Sequence, residues 1–277
     1  IGRPDGGHED SPPRVDPFAP LLVAAGATSR LRVGPLVINN ELHHPGLLAR
    51  SAATVDRLTG GRLVLGLGPG SAGAEHRAIG RPILDPRERV TRFGASLEIL
   101  RSLLDDGRAD HRGRHEIVDV ADLGVTPAQA HVPFLVGGNG RRVVRLAARY
   151  ADIFQFTGLT HGHDGAPEPG GFSLSSVRER ARWLTDDAGD RSRSIERSAL
   201  VQFAACGSDT PASADLADRF GLAPEVIESS PFVLSGSLEQ LVDKIGRLRD
   251  EVGITHYVVR DPAGFADVVA AAGDHTT

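Results

Sequence analysis

Short apolar runs, many of them β-branched, alternate along this chain with longer stretches in which apolar residues return every three or four positions. The clearest long stretch is Arg87 to Leu104, where Val90, Phe93, Leu97, Leu100 and Leu104 share one helical face. Helices are also predicted over 18–28, 45–58, 141–149, 212–220 and 262–272. Ser176-x-x-Glu179 and Ser237-x-x-Gln240 have the spacing of capping boxes, and each is read as opening a helix. The second carries Leu238, Leu241, Val242, Ile245 and Leu248 on its apolar face. Strands are predicted near 31–38, 63–67, 133–136, 152–156, 199–204 and 254–259.

Alternation of strand and helix builds a parallel sheet covered by helices, so the fold class is α/β. The nearest architecture is the (β/α)8 barrel of TIM type, which needs two strands more than the six this pattern supplies. The predicted organisation is an irregular, Gly- and Pro-rich arm over 1–16, one barrel domain over 17–272 and a short tail over 273–277. Segments 105–130 and 157–175 are long polar connections, the kind of loop on which sites concentrate.

Composition narrows the partners. Apolar residues make up 40% and the net charge is −5, so neither nucleic acid nor an anionic membrane is expected as a general partner. No apolar run reaches the length of a membrane span. Cys206 is the only cysteine, which excludes an internal disulfide and fits a reducing, cytoplasmic setting.

Three segments carry candidate chemistry. Gly66-Leu67-Gly68-Pro69-Gly70 ends a predicted strand; a glycine such as Gly68 there lets a ligand approach the backbone, and a plain tight turn is the alternative. A dinucleotide fingerprint is rejected, because the long helix begins only near Arg87. Gly137-Gly138-Asn139-Gly140-Arg141 follows an apolar run and opens a helix, an arrangement that presents backbone N–H groups and fixed positive charge to a phosphate. Asn39 and Asn40, at the end of another strand, have amides suited to a heterocycle or to capping the next helix. The paired histidines His43/His44, His111/His115 and His161/His163 read as surface residues, with no metal site expected.

The run from Asp16-Pro17-Phe18 through Ala27-Thr28-Ser29-Arg30-Leu31-Arg32-Val33-Gly34, His44-Pro45 and Asp56-x-Leu58-Thr59-Gly60-Gly61-Arg62 to Gly66-Leu67-Gly68-Pro69-Gly70 resembles the luciferase-like monooxygenases. So do Pro133-Phe134-Leu135-Val136-Gly137-Gly138, Ala147-Ala148-x-x-Ala151-Asp152 and Gly253-Ile254-Thr255-x-Tyr257-Val258-Val259. Within that family the likeness is strongest to the branch of oxidoreductases using the deazaflavin F420. The resemblance implies a cofactor ring at the C-terminal mouth of the strands, with a cis, non-proline peptide among Leu36, Val37 and Ile38. It places Asn39 and Asn40 beside the ring or its ribityl chain, Gly68 nearby, and the cofactor phosphate on Gly137, Gly138, Asn139, Gly140 and Arg141. It also implies a small organic substrate and a homodimer.

Departures from the family pattern bear on catalysis. The usual first two strands, ending in Asp-His, have no counterpart between Ile1 and Asp16, so an N-terminal βαβ unit is expected to be missing or truncated. Ser71 stands where relatives acting on sugar phosphates carry an acid. His8 and Glu75 are the remaining acid–base candidates. FMN in place of F420, serving a monooxygenase, is the alternative within the fold; a cofactor-less, non-catalytic paralogue is the alternative outside catalysis.

Overall fold

A computed structural model describes residues 15–70, 73–161, 167–207 and 210–273. Two compact units emerge, one running to Gly137 and including Tyr150–Asp152, the other beginning at Gly138.

The first unit contains α1 (Ala19–Gly26), β1 (Ile38–Asn39), α2 (Pro45–Leu58), β2 (Leu65–Gly68), α3 (Gly73–Ala78), α4 (Pro86–Asp106), the hairpin β3 (Ala109–Arg112) and β4 (Ile117–Val120), and β5 (Phe134–Gly137). β1 pairs with β2 and β2 with β5, all parallel, with Ile38 opposite Leu67 and Leu67 opposite Val136. Every residue of β2 and β5 is buried, which explains why both read as unbroken apolar runs and not as alternating ones.

α2 turns Leu48, Ala49, Ala52, Ala53 and Val55 inward, and α4 turns Phe93, Leu97, Leu100, Leu103 and Leu104. The two helices pack together, and the alanines let their backbones approach closely. Asp85 caps α4 by accepting from Arg87 N and Glu88 N, and Gly107 ends it in the left-handed conformation. Asp56 is completely buried yet satisfied: it accepts from Leu63 N, from Gln129 N and from the Gln129 side chain. That carboxylate fixes α2, the entry to β2 and the 129 loop to one another.

The second unit contains α5 (Arg141–Tyr150), β6 (Ile153–Phe156), β7 (Thr160–His161), β8 (Pro167–Glu168), α6 (Leu174–Ala188), β9 (Glu196–Leu200), β10 (Phe203–Cys206), α7 (Ser213–Phe220), α8 (Pro224–Ser229), β11 (Val233–Gly236), α9 (Leu238–Val252), β12 (Ile254–Val258) and α10 (Ala266–Gly273). β6, β9 and β12 are parallel, as are β10 and β11. Val201, Leu234, Leu241, Phe265 and Val268 form a core cluster here.

Four expectations are corrected. The strand foreseen over 31–38 survives as a single bridge at Val33 and the two residues of β1, because Pro35 interrupts it and offers no N–H. The strand foreseen over 199–204 is two, β9 and β10. Ser173, not Ser176, caps α6, accepting from Ser176 N at 3.2 Å. The stretch 105–130 holds a hairpin in place of an irregular loop. Ser237 and Gln240 do make the reciprocal box that their spacing predicts.

Candidate functional site

In the first unit the chemistry gathers where β1 and β2 end. The peptide between Leu36 and Val37 is cis, within the three positions singled out for one. Both side chains are about two-fifths exposed, unusual for large apolar residues beside a buried strand.

The glycines of β2 have a definite steric job. A Cβ on Gly66 would collide with the Pro35 carbonyl, one on Gly68 would lie 2.8 Å from Val37 Cγ2, and one on Gly70 would collide with Asn39 Oδ1. The run therefore lets the segment 35–39 lie against β2, and Gly70, at φ +82°, needs the left-handed conformation as well. On this side the space beside Gly68 belongs to Val37.

Asn39 acts as a clip. Its Oδ1 accepts from Glu41 N at 3.1 Å and its Nδ2 donates to Glu75 Oε2 at 3.2 Å. Glu75 is thereby oriented from the opening turn of α3. Asn40 opens a 3-10 turn over Asn40–Leu42 and is 1% exposed, but among the described residues its Nδ2 has no hydrogen-bond partner. Leaving such a donor unsatisfied costs about 1–3 kcal/mol, so its surroundings suit a ligand acceptor. Burial lowers the His43 imidazole below its ordinary value, opposed by Asp16 and assisted by Arg81. His8 lies outside the described residues.

In the second unit the turn over 138–140 leads into α5, while Gly137 closes β5 in the first. Gly138 adopts φ +154°, and a Cβ on it would sit 2.8 Å from Val143 Cγ1; around Gly140 the space is open. The two side chains expected to greet a phosphate are engaged within the protein. Asn139 donates to Leu159 O at 3.1 Å and accepts from Arg180. Arg141 pairs with Asp187 and lies 5.5 Å from the centre of the Trp183 ring.

Arg180 escaped the sequence reading. It is 1% exposed, and its guanidinium donates to Ser176 O, Asn139 Oδ1, Thr157 O and Gly171 O, all of them uncharged. Burial pulls its pKa down to about 10, with Glu179 opposing. A cation retained among neutral acceptors projects positive potential onto its surroundings, and Asn139 is held directly by it. The signal was present in the heptad-like set Val177, Arg180, Ala181, Leu184, an apolar face with one charge in it.

A sequence model of the luciferase-like monooxygenases matches residues 4–201. The 5,10-methylenetetrahydromethanopterin reductase of Methanopyrus kandleri is 26% identical over 285 residues, covering 88% of this chain and 80% of the reductase. An F420-dependent glucose-6-phosphate dehydrogenase of Nakamurella multipartita is 32% identical over 154 residues, but these cover 55% of this chain and only 43% of the dehydrogenase. Among solved structures, a coenzyme F420 dependent tetrahydromethanopterin reductase from Methanopyrus kandleri superposes with a TM-score of 0.71 at 19% identity, covering 95% of this chain and 88% of that one. Among the described residues no helix is long and apolar enough to cross a membrane.

Proposed function

Because the chain belongs to the luciferase-like monooxygenase family and shares the α/β barrel-type fold of its relatives, we propose that it is an oxidoreductase that binds the deazaflavin F420 and moves a hydride between it and a small organic substrate. A bound deazaflavin supplies the hydride chemistry at its ring carbon; the residues supply position, exclusion of water and protons.

The observation that carries this reading is the buried Asn40 amide N–H group at the end of β1, without a partner among the described residues, beside a segment that leaves Leu36 and Val37 exposed. An amide N–H there would donate to a heterocycle carbonyl or ribityl oxygen, and the two apolar side chains would cover a ring face from water. Glu75, held by Asn39, would exchange a proton in this reading. In the second unit, Arg141 and Asn139 are committed to Asp187 and Arg180, so a phosphate at the turn would rely on backbone N–H groups and the Arg180 charge.

Titration with F420 and with FMN, each followed by cofactor fluorescence, tests the proposal. F420 is expected to bind, and Asn40→Ala to weaken it by about tenfold, the loss of one buried hydrogen bond. Binding of neither cofactor would refute it. Preferential binding of FMN, with oxygen uptake when it is reduced, would instead establish the monooxygenase reading that the family description favours.

A further inference from the structure

A second feature of the first unit lies beside the ends of β1 and β2 and plays no part in the cofactor reading. It is a cavity of about 270 Å³ whose wall includes Glu41, His76, Arg81, Arg92 and His115. That volume sits below the range of drug-sized pockets and suits a molecule of a few carbon atoms.

Accounting for the charges around it shows which groups remain available. Arg92 is heavily committed: Nε donates to Glu116 Oε1 at 2.6 Å, Nη1 to Glu41 O at 2.9 Å and Glu41 Oε1 at 3.4 Å, and Nη2 to His43 O at 3.3 Å. One guanidinium thus holds two buried carboxylates. Nearby, Glu88 is taken by Arg114 at 2.7 Å. Arg89 adds a further positive charge that acts on Glu41.

Arg81, by contrast, makes among the described residues one long side-chain bond, Nη1 to Glu41 O at 3.5 Å. His76 is 2% exposed, and among the described residues neither of its ring nitrogens has a partner. An imidazole buried with both nitrogens unmatched costs about 1–3 kcal/mol for each, so a ligand that bonds to it would relieve that cost. Of the formal charges, Arg81, Arg89 and Arg92 outnumber Glu41 and Glu116. The complement is an anion with oxygens that accept from a guanidinium and an imidazole N–H.

We propose that this cavity is a binding site for a small oxyanion, the carboxylate or phosphate group of a small molecule, with Arg81 and His76 as its ligands. Arg81 supplies the charge and His76 the buried donor that fixes the oxyanion's position. The Glu41 carboxylate is paired with Arg92 at 3.4 Å, which reduces the repulsion an incoming anion meets. His115 completes the polar wall.

The test uses the full chain without cofactor, titrated calorimetrically with inorganic phosphate in one arm and malonate in the other. Saturable binding in either arm is expected; the arm that binds more tightly identifies the source of the oxyanion. Arg81→Gln, at an exposed position that should not disturb folding, is expected to weaken binding by about tenfold or more. Arg114→Gln, a nearby arginine committed to Glu88, is expected to leave it unchanged. His76→Phe, in folded protein by circular dichroism, should abolish it. No saturable binding in either arm would overturn the site, leaving a water-filled cavity. Equal losses in Arg81→Gln and Arg114→Gln would also overturn it, showing general charge attraction. Because the readout needs no deazaflavin, this result stands or falls separately from cofactor binding.

Discussion

Lys244, the one lysine of the chain, is 8% exposed on α9, and its Nζ donates to Val233 O at 2.7 Å and to Ile227 O at 3.4 Å. Burial, assisted by Arg247 and opposed by Glu228, lowers its pKa from 10.5 to about 8. At 1.36 kcal/mol per pH unit, the folded state carries a penalty of about 3 kcal/mol while the amine is charged. The sign follows from proton counting. Below pH 8 both states hold the proton and the penalty is constant. Between about 8 and 10.5 the unfolded chain binds more protons, so stability rises by roughly 1.4 kcal/mol per pH unit. Lys244→Met removes the titrating group and also the two hydrogen bonds, worth about 1–3 kcal/mol together. The variant should match the parent near pH 7 and fall behind it by about 2 kcal/mol near pH 10. Urea denaturation of both proteins at pH 7, 8, 9 and 10, read by circular dichroism, measures the difference. Burial pushes the Tyr257 phenol upward, which lowers stability as its unfolded counterpart ionises, but equally in both proteins, so the comparison cancels it. A stability difference that stays constant with pH would refute the argument.

Other substitutions probe the site and its supports. Arg180→Met leaves Asn139 Oδ1, Thr157 O and Gly171 O without their donor, and relief of a buried charge offsets only part of that. A loss of about 3 kcal/mol in urea is expected, with weaker F420 fluorescence quenching. Gly70→Ala should break the Asn39 clip and loosen cofactor binding, whereas Gly60→Ala, also at positive φ but in open space, should cost only about 1 kcal/mol and leave binding intact. Equal effects on binding would contradict the steric account. Ser237→Ala removes a complete capping box and should lower stability by about 0.5–2 kcal/mol, seen as a shift in the urea midpoint.

Elements whose formation depends on local chemistry were legible in advance. α4 has five apolar residues at helical spacing and α9 has its capping box, and both formed where the pattern put them. β11, over Val233–Gly236, was missed and takes its definition from parallel pairing with β10. The hairpin of β3 and β4 was missed for a related reason: Ala109–Arg112 and Ile117–Val120 are four-residue runs in which only Val118 is buried, so little periodic apolar signal marks them. Tertiary pairing defines those strands, and a single window of sequence does not contain it.

The site shows the same division more sharply. Glycines at 66, 68 and 70 were readable as a place where something comes close to the backbone, and that much follows from the missing Cβ alone. What comes close was not readable. It is the protein's own segment 35–39, whose carbonyl, Val37 side chain and Asn39 amide occupy the three spaces. These glycines therefore set the geometry of the neighbouring segment, which leaves Leu36 and Val37 exposed. Arg141 gives the converse lesson. Its charge beside a glycine turn suggested an anion, but the structure gives that charge to Asp187, forty-six residues on, and retains a cation hydrogen-bonded only to neutral acceptors at Arg180. A charged residue's role depends on which partner folding brings to it, so a buried arginine on an apolar helix face is a stronger pointer than an exposed one at a turn.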